Sequence, residues 1–263
     1  MAKTYDFTDC LKPADVKKFP VPYLIYKPDQ REKIAWPNEE IVSYNGPKDF
    51  DYYLNPYGFR WTLQDKPKIL FNGCSHTFGQ GVRQEDTFGE IICREYLKDN
   101  YECMNLGQPG TGIQIQSINL CWALNTFDDI EAIVWYLPTP ARQIMVQHNA
   151  IHTYHPGVTD WFYDKKFAKA WDRLQPNIWE TTQLNSYWSL YNTFSLIKQK
   201  GIRFLFKCWD GPCNTEFRRL RKDFKYVEIP DMPKLDHGRD WVHRGVETHR
   251  RFAEMIWKAW NES

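Results

Sequence analysis

The sequence predicts an α/β fold in which a parallel sheet carries helices on both faces. From about residue 66 onward, short apolar runs of strand length alternate with longer stretches whose apolar residues recur at helical spacing. The apolar runs lack the alternation of a half-exposed strand, as "EAIVWYL" illustrates, and this is typical of strands buried on both faces. Strands that alternate with helices imply a parallel sheet that is covered on both sides.

The individual elements follow in chain order. The predicted strands are "KILFNG", "YECMNLG", "EAIVWYL", "IRFLFKCW" and "KYVEIP". The predicted helices are "DTFGEIICREYLKDN", "GIQIQSINLCWALNTF", a stretch around "SYWSLYNTFSLIKQK" that stops at Gly201, and "GVETHRRFAEMIWKAW". The last helix has an apolar stripe that we expect to face the sheet, formed by Val246, His249, Phe252, Ala253, Ile256 and Trp260.

Two segments depart from this alternation. Residues 1–65 are rich in proline, glycine, asparagine and tyrosine and lack helical periodicity, so we expect an irregular N-terminal arm packed on the domain and held by tyrosines and Trp61. Residues 66–263 form the predicted domain. Within it, the segment from about 138 to 181 is too long for a simple loop, and we expect it to form an inserted helical cap.

Composition argues against several classes of protein. Lysine plus arginine total 34 and aspartate plus glutamate total 33, so no basic field favours a nucleic-acid partner. The 7 cysteines include no Cys-x-x-Cys pair, which disfavours a disulfide scaffold and a structural zinc site and favours a reducing compartment. The run "AIVWYL" is too short for a bilayer, and "MAKTYDFTDC" lacks a signal core. We expect no membrane contact and a cytoplasmic location, or a virion if the chain is phage-derived.

Three polar segments follow predicted strands. They are "NGCSHTFGQG" after the first strand, "NLGQPGTG" after the second and "DHGRDWVHRG" after the fifth. The carboxyl ends of parallel strands share one rim of the sheet, where ligands bind in such folds. We therefore expect Ser75, Gly110 and the Asp240-x-x-His243 pair to meet at this rim.

These residue types suit acyl transfer. The Ser75 hydroxyl needs a base to take its proton, and His243 can be that base. Asp240 lies three residues earlier, so its carboxylate can hold the imidazole tautomer and stabilise the imidazolium. The backbone amides of Ser75 and Gly110 can bind a developing oxyanion.

The same segments resemble the SGNH (GDSL-like) hydrolase family in its Gly-Cys-Ser variant. The likeness runs from about residue 68 to 260 and rests on "ILFNGCSHTFGQGV", "MNLGQPGTG" and "DWVHRG", with serine early and Asp-x-x-His late. It implies a three-layer α/β/α sandwich with a flavodoxin-like strand order 2-1-3-4-5, and serine-dependent hydrolysis of esters without a metal or other cofactor. By this resemblance Ser75 is the nucleophile, Gly110 an oxyanion donor, His243 the base and Asp240 its orienting group.

The chain departs from the family in two places. The usual Gly-Asp-Ser reads Gly-Cys-Ser, with Cys74 in the middle. After the third strand the family supplies an asparagine as a further oxyanion donor, whereas this chain reads "WYLPTPARQ". Thr139 or Arg142 would have to replace it. Loss of one such donor costs about 10²–10³ in turnover, so the sequence also fits a slow enzyme or an inactive relative.

Several neighbouring residues have open roles. His76 and Gln108 are candidate substrate contacts. Cys74 is a rival nucleophile, but it precedes the exposed turn position, so we expect a buried and inert thiol. His237 and His249 are alternatives to His243 as the base, although His249 lies on the predicted buried stripe. On a helix, His148, His152 and His155 would share one face and could bind zinc. No carboxylate-histidine motif accompanies them, so we expect no metal.

Three functions remain after this comparison. The first is a serine hydrolase that cleaves an ester, with a carbohydrate O-acyl ester favoured by the aromatic residues of the insertion. The second is a non-catalytic binding or structural protein on the same fold, which suits a phage-associated chain. The third is an acyltransferase that gives the acyl group to a sugar or amine. The partner of either enzyme is a small-molecule or glycan ester, and the oligomeric state is left open.

Overall fold

A computed structural model describes residues 31–32, 52–137, 142–147, 150–154, 178–208, 220–239 and 243–262. The strands are β1 (Arg31–Glu32), β2 (Tyr52–Tyr53), β3 (Lys68–Gly73), β4 (Glu102–Asn105), β5 (Ile130–Leu137), β6 (Gln143–Gln147), β7 (Ala150–Tyr154), β8 (Arg203–Cys208) and β9 (Val227–Glu228). The α-helices are α1 (Ser75–Phe78), α2 (Phe88–Ile91), α3 (Ile113–Thr126), α4 (Ile178–Lys200), α5 (Leu220–Asp223) and α6 (Val246–Asn261).

The central sheet has five strands in the order β4-β3-β5-β8-β9, and every neighbouring pair is parallel. Numbered along the chain, this is the order 2-1-3-4-5, so the predicted fold class is confirmed. The order reverses direction beside β3. The carboxyl ends of β3, β4 and β5 therefore lie side by side at the place where α/β proteins of this type bind ligands.

The sheet separates two apolar cores. Leu70 of β3 and Trp135 of β5 belong to the core under α3 and α4. Phe71 and Val134, each one residue away along its strand, belong to the core under α2 and α6. This division follows from the two-residue period of a strand. It explains why the middle of each strand, "ILF" in β3 and "AIVWYL" in β5, is apolar without alternation.

The segment before the sheet contributes to the domain core. β1 and β2 pair antiparallel, and Phe59 and Trp61 are buried in the core beside α3. Arg60 points the other way: its guanidinium donates hydrogen bonds to the carbonyl oxygens of three residues after Ser75, at 2.7–2.9 Å, namely Phe78, Gly79 and Val82. Burial lowers the pKa of Arg60 to about 10, so it stays charged at neutral pH. The boundary at residue 65 stays a prediction.

The described part of the insertion differs from the prediction. We expected a helical cap, but β6 and β7 form an antiparallel hairpin, with Ile144 paired with Thr153 and Val146 with Ile151. β-branched residues recur here at every second position, and this pattern favours strand over helix. A single helix through His148, His152 and His155 is therefore excluded, because His152 lies in strand β7. His148 and His155 themselves fall outside the described residues.

Two predicted elements are present in altered form. The helix predicted over "DTFGEIICREYLKDN" is α2 followed by a π-helical turn, Ile92–Tyr96. The last predicted strand is reduced to the two residues of β9 at the sheet edge. Among the described helices, none is both long and apolar enough to cross a membrane.

Candidate functional site

Ser75 lies directly beyond the central strand β3. Gly73 ends the strand, Cys74 precedes the helix, and Ser75 is the first residue of α1. The first amide of a helix has no acceptor within that helix, so the Ser75 N–H is not used by α1 itself. The Ser75 residue is 5% exposed, which places its hydroxyl below the outer surface of the rim. Cys74 is buried, as predicted.

The loop after β4 is fastened to the serine turn. The Asn105 side-chain amide donates to the Thr77 carbonyl at 2.8 Å, and its oxygen accepts from the Gly107 N–H at 2.9 Å. Gly107 lies so close that a Cβ on it would be 2.3 Å from the Phe78 nitrogen. The Gln108 N–H donates to the Gly73 carbonyl at 3.2 Å. The second motif is thus held against the first by backbone contacts that tolerate no side chain at residue 107.

A tight turn then presents Gly110. The Thr111 hydroxyl donates to the Gln108 carbonyl at 2.7 Å and closes the turn. Gly110 has a φ of +75°, a left-handed conformation that favours glycine. Around a Cβ built on Gly110 there is open space to 4 Å. This space borders the amide that the resemblance assigns to the oxyanion.

The Gln108 side chain is buried without hydrogen bonds. The residue is 1% exposed, and in the described structure neither Oε1 nor Nε2 has a partner. A buried amide without partners costs free energy, and native proteins contain few of them. Because Gln108 is anchored at the strand end next to the serine turn, the position suits a group that receives its partner from a ligand.

Arg142 reaches the same loop from the base of the β6–β7 hairpin. A Cβ on Gly112 would be 2.5 Å from the Arg142 carbonyl oxygen, so the two backbones are in contact. Within the described residues, Arg142 Nη1 is buried and has no hydrogen-bond partner. The Arg142 backbone therefore lies against the loop that follows Gly110, and its side chain carries a donor without a described partner. Thr139, the other candidate, lies outside the described residues.

The third motif packs against the serine turn. The Arg239 N–H donates to the Gly81 carbonyl at 2.7 Å, and the Gly238 N–H donates to the His243 carbonyl at 2.8 Å. The ring of His243 lies 5.5 Å from the ring of His76, measured between centroids, with 67° between the planes. The predicted base is thereby placed beside the residue that follows Ser75.

Asp236 has a structural role that the sequence analysis missed. Helix α6 begins after Gly245, which has no side chain to cap it. Asp236 supplies the cap from nine residues upstream: it accepts from the N–H groups of Glu247 and Thr248 and from the Thr248 hydroxyl, at 2.7–3.0 Å. This carboxylate is committed to the helix. Asp240, the predicted orienting group, lies outside the described residues.

His249 is buried on the inner stripe of α6, as expected. Its Nδ1 accepts a hydrogen bond from the Phe88 N–H at 3.2 Å, and its ring stacks on Phe88. Burial lowers its pKa to about 3. An imidazole that is neutral near pH 7 and already accepts a backbone hydrogen bond is a packing group, so we do not assign it as the base.

The structure thus brings Ser75, His76, Gln108, Arg142 and His243 to one end of the sheet. No hydrogen bond joins Ser75 Oγ to His243 among the described contacts; Ser75 Oγ is 3.9 Å from Cys74 Sγ instead. Catalytic hydrogen bonds often lengthen in structures without a substrate. The triad stays a prediction.

No family model matches the chain, and no curated protein matches it by sequence. Similar solved structures include TesA, with 12% identity over 74% of this chain and 98% of that chain and a TM-score of 0.45. The esterase EstA from Pseudoalteromonas sp. has 10% identity, 75% and 98% coverage and a TM-score of 0.45. A carbohydrate acetylesterase family member from Sinorhizobium meliloti has 12% identity, 74% and 97% coverage and a TM-score of 0.44.

The fold assignment rests on the strand order and the helix layers described above. Together they define a three-layer α/β/α protein. Ser75 follows strand β3, at the point where the strand order of the sheet reverses. That order is the one implied by the resemblance to the SGNH hydrolases.

Proposed function

We propose that the protein is an SGNH-type serine hydrolase that cleaves an ester through an acyl-serine intermediate. One observation carries the proposal: the segment of His243 packs on the turn of Ser75 and brings its imidazole against the neighbouring residue, His76. Three segments far apart in the chain converge there, at the switch point of the sheet. Ordinary packing does not require a serine, a left-handed glycine and an imidazole to meet at this place.

The proposed reaction has two stages. His243 takes the proton of Ser75 Oγ as the oxygen attacks the ester carbonyl, and then gives that proton to the departing alcohol. The resulting acyl-serine is attacked by a water molecule, from which His243 takes a proton in turn, and the acid leaves as Ser75 regains its hydrogen. Asp240 is proposed to orient the imidazole and to stabilise its protonated form.

The developing oxyanion is proposed to have three donors. The N–H groups of Ser75 and Gly110 are backbone donors fixed by the turns described above. Arg142 Nη1 is the third, in place of the missing asparagine, and its support is that it is buried, uncommitted and next to the Gly110 loop. A guanidinium carries a full charge, which offsets the loss of a neutral donor.

The buried amide of Gln108, which has no described partner, favours a polar substrate. A side-chain amide offers a donor and an acceptor side by side, and neighbouring hydroxyl groups of a sugar match that pair. We therefore propose a carbohydrate O-acyl ester, with Gln108 bound to the hydroxyl groups and His76 lining the site.

Covalent labelling tests the proposal. We expect a small fluorophosphonate to label the intact protein, because Ser75 is only 5% exposed and a bulky probe would be hindered. The Ser75→Ala variant should lose the label and at least about 10³-fold of the hydrolysis of an aryl acetate. Two controls are matched to it: Cys74→Ala removes the rival nucleophile, and Ser189→Ala removes a partly exposed serine on α4. Both should label normally.

The outcomes separate the candidate functions. Equal labelling of the intact protein and Ser75→Ala would remove the catalytic proposal and leave a binding or structural protein. Labelling with transfer to an added sugar in preference to water would make the enzyme an acyltransferase. Loss of the label in Cys74→Ala with retention in Ser75→Ala would move the nucleophile to the thiol.

A further inference from the structure

The turn that begins at Ser75 is too short to be stable by itself. α1 has only four residues and ends at Gly79, which has a left-handed φ of +76°. The N–H groups of Gly79 and Gln80 both donate to the Ser75 carbonyl at 3.0 Å, and these bonds close the turn. A single helical turn fixes many dihedral angles for few hydrogen bonds, so it needs support from the rest of the protein.

Arg60 provides support at the carbonyl end of this turn. Its Nη1 donates to the carbonyl oxygens of Phe78 and Gly79 at 2.9 and 2.7 Å. Its Nη2 donates to the Val82 carbonyl oxygen at 2.7 Å. Carbonyl groups at the end of a helix have no partners within it, and a cation placed there is favourable. Arg60 is 1% exposed, so water has little access to these bonds.

Tyr52 contacts the same turn at Gly81. The Gly81 N–H donates to the Tyr52 hydroxyl at 2.6 Å. The Tyr52 ring lies beside the Arg60 guanidinium, with 4.4 Å from Cζ to the ring centroid. It also meets the Phe78 ring edge-on, with 5.0 Å between centroids. Two residues of the segment before the sheet therefore hold the turn after Ser75 together.

Both of these side chains start from backbone that is fixed in the domain. Tyr52 lies in β2 and is 2% exposed. Arg60 lies between Phe59 and Trp61, which are buried in the core beside α3. The Asn55 side chain accepts from the Phe59 N–H at 3.1 Å and shapes the chain just before Arg60. The core of the domain therefore sets the positions of Tyr52 and Arg60.

The third motif packs on the other side of this turn. The Gly81 carbonyl accepts from the Arg239 N–H at 2.7 Å, and a Cβ on Gly238 would be 3.0 Å from Gly81 Cα. The Gly238 N–H in turn donates to the His243 carbonyl at 2.8 Å. Gly81 thus lies between Tyr52 and the segment of His243. A displacement of the turn would therefore change the position of the candidate nucleophile relative to that of the candidate base.

We propose that Arg60 and Tyr52 are positioning residues, which fix the turn after Ser75 relative to the segment that carries His243. The inference rests on the proposed function, because it gives this turn a task in ester hydrolysis. Both residues are buried behind the turn and act through it, without contact with the substrate. Misplacement of a catalytic group by about 1 Å can lower the rate by about 10²-fold, so the effect of losing them belongs in kcat.

Replacement of the guanidinium tests the role of Arg60. Arg60→Lys keeps the charge but offers one nitrogen where arginine offers two in a fixed fork. We expect its kcat for an aryl acetate to fall about 30-fold, with KM within about twofold of that of the intact protein. Arg60→Ala should lose about 10²-fold in kcat. Millimolar guanidinium should restore part of that loss by occupying the vacated site.

Arg83→Met is the matched control. Arg83 is the next residue after Val82, and its side chain is partly exposed and pairs with Glu85 at 3.4 Å. Its replacement removes an arginine beside the same turn without removing a hydrogen bond to it. We expect kcat to stay within about twofold, and added guanidinium should have no restoring effect.

Tyr52→Phe is the milder probe and decides the case if the Arg60 variants do not fold. It keeps the ring that packs on Phe78 and removes only the acceptor of the Gly81 N–H. We expect kcat to fall about fivefold and KM to stay within about twofold.

Hydrogen exchange measures the hold on the turn without any turnover. The amides of the peptide that spans residues 75–82 should exchange at least about tenfold faster in Arg60→Lys and Tyr52→Phe than in the intact protein. A peptide from the buried part of α4 should exchange at its normal rate, because α4 does not touch the turn through either residue.

The outcomes are separable from those of the proposed function. Unchanged exchange over residues 75–82 in both variants would overturn the inference, and so would equal acceleration in α4, which would mean a general loss of stability. Faster exchange with an unchanged kcat, or a loss that lies only in KM, would overturn the positioning role. If Ser75 is not labelled, the proposed function fails, whereas the exchange measurement still decides whether Arg60 and Tyr52 hold the turn.

Discussion

Gln108 and Gln116 are two buried glutamines of the same loop-and-helix region with opposite hydrogen-bond status. Gln116 donates to the Thr111 carbonyl and hydroxyl at 3.2–3.3 Å and accepts from the Trp135 indole at 2.9 Å. Gln108 has no such partners within the described chain. Gln116 therefore stabilises the fold through its hydrogen bonds, whereas the buried amide of Gln108 lowers the stability of the protein.

This contrast predicts opposite effects of one substitution. Gln108→Leu should raise the free energy of unfolding by about 1 kcal/mol, because it removes a buried amide that has no partner. Gln116→Leu should lower it by about 2–3 kcal/mol, because it leaves the Trp135 and Thr111 groups unsatisfied. Urea unfolding measures both.

The same variants test the role of Gln108 in recognition. Gln108→Leu should weaken hydrolysis of an acetylated sugar through KM and leave that of an aryl acetate, which has no hydroxyl groups, within about twofold. A Gln108→Leu protein that is destabilised would contradict the assignment, since it would mean that the amide has a structural partner after all.

At the scale of elements, the start of α6 connects stability to the site. Asp236 caps this helix and also opens the motif that carries His243. The Gly245 N–H donates to the Asp236 carbonyl at 3.2 Å, which closes the motif into a loop. Loss of the carboxylate should therefore loosen the helix start and the predicted base together.

We expect Asp236→Ala to lower the free energy of unfolding by about 2–3 kcal/mol, since two N–H groups and a hydroxyl at the start of the helix lose an acceptor. Thermal or urea unfolding measures the loss. Glu247→Gln is the matched control, because Glu247 is an exposed acidic residue in the first turn of the same helix and should change stability by less than about 0.5 kcal/mol. Equal effects of the two variants would show that the cap contributes little.

At the scale of the whole molecule, His249 makes stability depend on pH. Its pKa is about 3 in the folded protein and about 6.5 in an unfolded chain. Between these values the unfolded chain binds a proton that the folded protein does not, so this contribution to stability is present above pH 6.5 and is lost as pH falls toward 3.

The expected loss is about 2 kcal/mol between pH 7 and pH 5. Urea unfolding at the two pH values measures it. His249→Asn keeps an acceptor for the Phe88 N–H but cannot bind a proton, so its stability should change less over this interval. A slope that is the same in His249→Asn as in the intact chain would contradict the prediction.

The fold could be predicted because its signals are local. Strands buried on both faces are apolar throughout, and the parallel order then brings Ser75 and Gly110 to one edge. Asp236 could not be assigned because its partners lie 11 and 12 residues away, at Glu247 and Thr248, and a cap at that distance has no spacing rule. Its one signal was a helix start without a capping side chain at Gly245.

The hairpin was missed for a different reason. Histidines spaced at helical intervals drew attention to a helix, whereas the period-two recurrence of β-branched residues from Ile144 to Thr153 favoured strands. The orphaned amide of Gln108 could be recognised only with coordinates, because the absence of a partner depends on every neighbouring atom.

The buried thiol beneath the candidate nucleophile provides a natural reporter. Cys74 precedes Ser75 and is 1% exposed, so a water-soluble alkylating reagent reaches it only when this part of the chain transiently opens. The alkylation rate of Cys74 in the native protein, measured on the proteolytic peptide that contains it, would therefore report how often this part of the chain opens. A tightly bound substrate analogue should lower the alkylation rate of Cys74. Ligands could then be screened by this rate without any knowledge of the natural ester.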